Sequence, residues 1–393
     1  MNNAPARMHD TVIGLLKQAS WRDVRHLNTL AWMVVGLLLS GTIHLSRWIP
    51  YTHSRAQQAQ STERRFRRWL GNRRIDVDGL FGTLLGVILA DVAEGRRLLV
   101  ALDTTVLWNR FCVIQVALVC RGRVLPLAWQ VVGKASASVR FEEYGPVLDR
   151  VAGWLSDWQV VLLADRGFCH LQLLRWLKRQ KHWQGRIRMK SNVAIHCWNG
   201  KAYRRLRCRV RAGEVVFWHH VYLWKVHEEA HVAIGCEKGA KEPWMILCDD
   251  WADAEVLADY GRRFCIEEGF LDAKSNGFGW EASCLRDTEA LQRLCFVMAV
   301  ATWILICQGI EVHEAGLRRR VDPHWRRGLS YTQIGWRWLH HALSQEEALL
   351  EKLFLPTTED PAPVPTGRDR SRWIDPLPQW FCFCIPNSYK ELI

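Results

Sequence analysis

No C-x-x-C pair occurs in this sequence, although the chain of 393 residues carries thirteen cysteines. Cys382 and Cys384 are the only close pair. A zinc ribbon or a disulfide framework needs regular paired spacing, so neither is indicated, and the thiols read as reduced and mostly buried in a cytoplasmic protein. A signal peptide is lacking too, because Asp10 and the polar residues around it interrupt the apolar stretch one requires. The apolar runs at 30–39 and 294–307 fall short of the roughly 20 residues that span a bilayer, and they read as buried helices. Acid is scarce relative to base. The 53 Lys and Arg against 40 Asp and Glu leave a formal charge of +13 and a pI near 9.3. That imbalance suggests a polyanionic partner, nucleic acid before membrane.

What is present is the composition of an ordinary folded protein, 49% hydrophobic and 24% charged. The length exceeds what one core usually supports, so two or three units are expected. Residues 1–93 read as helical, and "STERRFRRWLGNRRID" places six arginines there, suited to backbone phosphates. From Arg97 the texture turns to strand. "RLLVALDTTV" ends near an aspartate, "FCVIQVALVC" and "RVLPLAW" form a hairpin turning at Gly122, and "WQVVLLADRGF" ends near a second aspartate. Between and after these lie helix-period segments at 141–158 and 169–183, then a basic strand, "GRIRMKSN".

The order strand, hairpin, helix, strand, helix, strand predicts an α/β core over 94–192 with chemistry at the carboxyl ends of its strands. Residues 193–248 hold three strand-like runs without a helix and read as an inserted β subdomain. The core resumes over 249–310, and 311–393 reads as a helical region with a proline-rich tail from Pro356.

Within 249–310 stands "YGRRFCIEEGFLDAKS". Taken as one α-helix at 100° per residue, Tyr260, Arg263, Glu267 and Lys274 fall on a strip about 60° wide. Glu268 and Asp272 point off it and, with Asp249, are left aside. Asp103 and Asp165 end apolar strands, where an unpaired carboxylate is unfavourable unless a cation or a metal compensates it. Three carboxylates suit magnesium, a hard ion that takes oxygen ligands. Two such ions about 4 Å apart can activate a nucleophile and stabilise a leaving oxygen in phosphodiester chemistry. Arg263 and Lys274 would then hold DNA phosphates beside the scissile bond. His219-His220 and His340-His341 lie at no zinc spacing to cysteine and read as structural or surface groups.

These residues resemble a family. Asp103 in "ALDTTVL", Asp165 in "LLADRGF" and Glu267 are similar to the DDE triad of transposases with an RNase H-like catalytic core. Tyr260, Arg263, Glu267 and Lys274 match the Y-x2-R-x3-E-x6-K signature of the insertion sequence 4 family, and the resemblance runs from about residue 65 to 310. It implies two magnesium ions on Asp103, Asp165 and Glu267, with manganese able to substitute. Further implications are nicking at transposon ends, hairpin formation and opening, and strand transfer into target DNA. Tyr260, Arg188, Arg263 and Lys274 would contact DNA, and Trp244, leading "WMILC", would stack on a flipped base. The N-terminal helices would bind terminal inverted repeats, and a homodimer would pair the two ends in a bacterial-type, nucleoid-associated setting. Another RNase H-like endonuclease or resolvase, or an inactive transposase-derived repressor, stays open as an alternative.

Overall fold

Local chemistry sets the helix ends of the N-terminal region. Its helices are α1 (Ala4–Leu16), α2 (Val24–Ser40), the single turn α3 (Leu45–Trp48), α4 (Ala59–Leu70) and α5 (Val77–Leu89). Asp23 caps α2 by accepting from the Arg25 N–H, and Asp76 caps α5 by accepting from the Gly79 N–H. Gly41 ends α2 in the left-handed conformation at φ 68°. In α1 the buried residues Met8, Val12, Leu15 and Leu16 recur at helical spacing, so a single stripe faces the core. This computed structural model describes residues 4–90, 92, 96–190, 192–206, 210–236, 240, 242–274, 277–349 and 360–362. Cys382, Cys384 and nearly all of the proline-rich tail from Pro356 lie outside the described residues. No disulfide joins the ten described cysteines, of which six are buried.

The core follows in the order the sequence predicts. The strands β1 (Arg97–Leu107), β2 (Phe111–Cys120) and β3 (Arg123–Val132) precede α6 (Phe141–Trp154), β4 (Gln159–Ala164), α7 (Leu171–Arg179) and β5 (Trp183–Arg188). The β2–β3 turn has Arg121 and Gly122 both at positive φ, the geometry that matches hairpin twist. β2 runs antiparallel to β1 and β3, whereas β1, β4 and β5 are mutually parallel, giving the order β3-β2-β1-β4-β5 of an RNase H-like core.

The β insertion is not a detached body. Its strands β6 (Ile195–Trp198), β7 (Tyr203–Arg205), β8 (Val215–Leu223), β9 (Glu228–Gly235) and β10 (Trp244–Cys248) extend the same sheet to ten strands, with β10 antiparallel to β5. The pairing of Ile246 with Arg188 and Leu247 with Ile187 covers what would otherwise be the open edge of β5.

Helices α8 (Ala254–Gly261) and α9 (Cys265–Lys274) follow, then α10 (Thr288–Glu314) and α11 (Tyr331–Ser344). The length expected for the second apolar run needs correcting. The helix continues on both sides of it to 27 residues, long and apolar enough by length and composition to cross a membrane, yet 89% of its apolar window is buried inside the protein. Its cover includes α11, which approaches so closely that a Cβ on Gly309 would meet the Tyr331 carbonyl oxygen at 1.9 Å.

Strand alternation then decides which face is which. Leu99 and Ala101 of β1 and Val161 and Leu163 of β4 pack against Ile266 and Phe270 of α9. Val100, Leu102, Leu162 and Ala164 point to the opposite face, into the large core that includes α6, α7 and α10.

Candidate active site

Period-2 alternation carries Asp103 onto the same face as Leu99 and Ala101, beneath α9. Asp165 directly follows β4 with extended backbone (φ −75°, ψ 171°), so it continues the face of Val161 and Leu163. Leu102 is in register with Ala164 on parallel neighbours, which sets the two aspartates side by side at the carboxyl ends of adjacent strands. Gln184, Arg186 and Arg188 of β5 lie on this face as well, since Leu163 pairs with Arg186.

The helical layer supplies the other residues. Arg263 Nη1 donates to Asp103 Oδ2 at 3.1 Å and its Nη2 donates to Glu267 Oε1 at 2.6 Å. One guanidinium therefore joins an acid of the first strand to an acid of α9. Lys274 Nζ donates to the carbonyl oxygen of Val106 on β1 at 3.0 Å, bringing the last cation of the strip to the same strand.

The single continuous helix assumed for the strip needs correcting. Arg262–Phe264 form a turn of 3-10 helix between α8 and α9. Such a turn winds about 120° per residue rather than 100°, so residues on its two sides do not share one wheel. Tyr260 accordingly faces inward. It is fully buried among Ile246, Val256 and Leu257, its hydroxyl lacks a well-formed hydrogen bond, and burial pushes that hydroxyl up to about 12. Trp244 meets the Tyr260 ring edge-on at 5.1 Å and is half-buried. Arg188 Nη2 donates to Glu242 Oε1 at 2.6 Å. In this conformation, then, Asp103, Arg263 and Glu267 converge, while Lys274 meets β1 three residues further on, at Val106. Tyr260 and Trp244 form an aromatic wall next to them, and Arg188 is held by an acid.

Burial, first, pushes the Asp103 carboxyl up to about 6. Arg263 and the Thr104 N–H oppose the shift, and the negative charges of Asp165 and Glu267 add to it. Among the described residues no three His, Cys, Asp or Glu side chains are gathered as a ready metal-binding group. Arg263 instead supplies positive charge to two of the three acids. The donor set still fits a hard divalent cation. All three groups offer carboxylate oxygen, and the crowding that disfavours ionisation at Asp103 is what a cation would relieve.

Sequence reasoning missed the anchor behind this arrangement. Asp259, buried in α8, takes hydrogen bonds from Arg97 of β1, and Arg186 lies 3.6 Å from it while also bonding Asp250. The signal available was "RIRMK", in which Arg186 and Arg188 alternate onto one face. His219 is buried and stacks on Trp251 at 3.6 Å, and His340 accepts from the Trp336 indole.

No curated protein matches this chain. A solved structure of a piggyBac transposase synaptic complex with hairpin DNA covers 88% of this chain and 78% of that chain, at 11% identity and a TM-score of 0.41. The family model described as transposase DDE domain matches residues 108–304, which include Asp165 and Glu267 and begin just after Asp103. That match spans half of the sequence, and the chain belongs to the transposase DDE domain family.

Proposed function

We propose that this chain is a cut-and-paste DNA transposase of the insertion sequence 4 type. It acts as a homodimer on paired terminal inverted repeats, with Asp103, Asp165 and Glu267 as its catalytic acids. The observation that carries the reading is the shared guanidinium: Arg263 binds both Asp103 and Glu267, beside the neighbouring strand end that bears Asp165. Residues from three separate segments meet at the carboxyl ends of a parallel strand pair, where α/β folds place their chemistry.

The three carboxylates would hold two magnesium ions, with manganese as a substitute. Bound magnesium would activate the attacking oxygen and stabilise the leaving one in each in-line displacement. Nicking, hairpin formation, hairpin opening and strand transfer all need that one chemistry. The chain's own cations do the positioning. Arg263, released from the acids, and Lys274 would grip phosphates beside the scissile bond. Arg188 would exchange Glu242 for a phosphate. The buried Tyr260 hydroxyl lies within electrostatic reach of Asp165 and Arg188, which suits a phosphate hydrogen bond once the strand is seated. Trp244, already in an aromatic wall with Tyr260 and Phe264, offers a ring face for a displaced base.

The test is nicking of a labelled duplex carrying the inverted repeat that flanks the coding region. Cleavage is expected with magnesium or manganese and none after chelation. Glu267→Gln keeps the shape of the side chain and should lower the rate on the order of 10⁴-fold, the scale for removing one member of a catalytic set. Cleavage by that variant at the rate of the unaltered protein overturns the assignment.

A further inference from the structure

The outer edge of the sheet carries a second, differently built surface. In the registers of β6, β7 and β8, Trp198 lies opposite Tyr203, and His196 lies opposite both Arg205 and Tyr222. Cross-strand partners share a face, so His196, Trp198, Tyr203, Arg205 and Tyr222 all project from one side. Trp198 and Tyr203 are 44% and 39% exposed although their rings lie 4.9 Å apart. Tyr203 also stacks flat on His227 at 3.7 Å, with 6° between the planes. The turn that joins the strands of Trp198 and Tyr203 is held by Asn199, whose side chain accepts from the N–H groups of Lys201 and Ala202.

Charge completes the pattern. Lys201, Arg205 and Lys225 are exposed here, and none pairs with an acid among the described residues. The nearby acids are taken: Glu228 by Arg175 and Lys178, Glu229 by His220. A cleft of about 820 Å³ runs from this face to the segment just past Asp165, lined by Cys169, His170, His196, Trp224, Lys225 and His227.

We propose that this face and its cleft bind an unpaired DNA strand, with bases stacking on Trp198 and Tyr203 and phosphates held by Lys201, Arg205 and Lys225. Exposed, rigidly held rings stack bases of any sequence, and unpaired cations follow the backbone. A paired duplex keeps its base faces covered and gains only the charge contacts. The inference rests on the transposase reading for its ligand, since strand separation at an element end would supply the unpaired segment.

The experiment measures fluorescence anisotropy of the full chain with two labelled oligonucleotides, a blunt duplex and the same duplex with a single-stranded tail. The unaltered protein should bind the tailed one more tightly. Replacing Trp198 and Tyr203 together by alanine should weaken tailed-DNA binding about 10-fold or more while leaving the blunt duplex within about 2-fold. Tyr203→Phe, which keeps the ring, should bind as the unaltered protein does and so separates stacking from misfolding. Equal binding of both oligonucleotides by the unaltered protein overturns the proposal, as does a double variant that binds tailed DNA normally or loses both equally. Glu267→Gln should keep the tail preference whether or not it nicks, so a failed catalytic assignment and a failed strand site give different results.

Discussion

A single guanidinium holds the candidate site together. Arg263 is buried, and its two hydrogen bonds reach Asp103 and Glu267, acids 160 and four residues away in sequence. Removing it leaves Asp103 buried beside two other carboxylates without its compensating charge. Arg263→Gln should therefore lower stability by about 1–3 kcal/mol, below the figure for a fully buried pair because Glu267 is partly exposed. Magnesium should raise the melting temperature of the variant more than that of the unaltered protein, since the cation takes over the lost compensation. Thermal melts with and without magnesium check this. An unchanged midpoint in its absence would show that the guanidinium is no structural counter-ion. This part of the site was half legible. The i, i+4 spacing of Arg263 and Glu267 predicts their pair, but the bond to Asp103 depends on how α9 is laid on the sheet, which no local pattern encodes.

At the scale of elements, the break between α8 and α9 explains why the strip of four residues is not one surface. Asp259 is fixed to the sheet by Arg97 and Arg186, which turns the end of α8 inward and buries Tyr260. The 3-10 turn then re-aims Arg263 and α9 toward Asp103. A half-buried acid joins the end of β10 to β5: Asp249 accepts from the Gly185 N–H at 2.6 Å, and burial first, then the Asp250 charge, push its carboxyl up to about 6. Its folded value lies above the unfolded one near 3.8, so its stabilising protonated form is fully present below about pH 4 and is lost as pH rises through about 6. Asp249→Asn keeps an acceptor for Gly185 and should remove this dependence. The variant should be more stable than the unaltered protein at pH 7, by up to about 3 kcal/mol, with the advantage gone at pH 4. Urea denaturation at the two pH values measures it, and equal pH profiles would refute it. The strands themselves were readable because "RLLVALD" and "VVLLAD" are apolar runs closed by an acid. Their helices were readable from the 3.6-residue period. The insertion's junction with β5 was not, because the pairing of Leu247 with Ile187, 60 residues earlier, leaves no local trace.

Over the whole molecule, one sheet runs from β3 to the exposed edge at β7, with the acids near one end and the aromatic face at the other. The N-terminal helices reach this body through α4, whose Leu70 carbonyl oxygen accepts from the buried Arg293 of α10. The arginine cluster read from the sequence therefore divides by position. Arg65 is half-buried over the Phe66 ring, and burial lowers its guanidinium, so it belongs to packing. Arg67 pairs with Glu63 at 2.7 Å. Arg64 and Arg68 on α4, and Arg73 and Arg74 in the turn that follows it, stay exposed without an acid partner among the described residues. Each phosphate neutralised by such a residue contributes about 0.9 to the slope of log affinity against log salt. Replacing these four by glutamine should lower the slope for duplex DNA by up to about 3.6 while leaving the preference for an unpaired tail intact. Titrations across a salt series measure both quantities at once. An unchanged slope would move the duplex-binding charge away from α4 and the turn after it, and a lost tail preference would mean that the two surfaces are not separate.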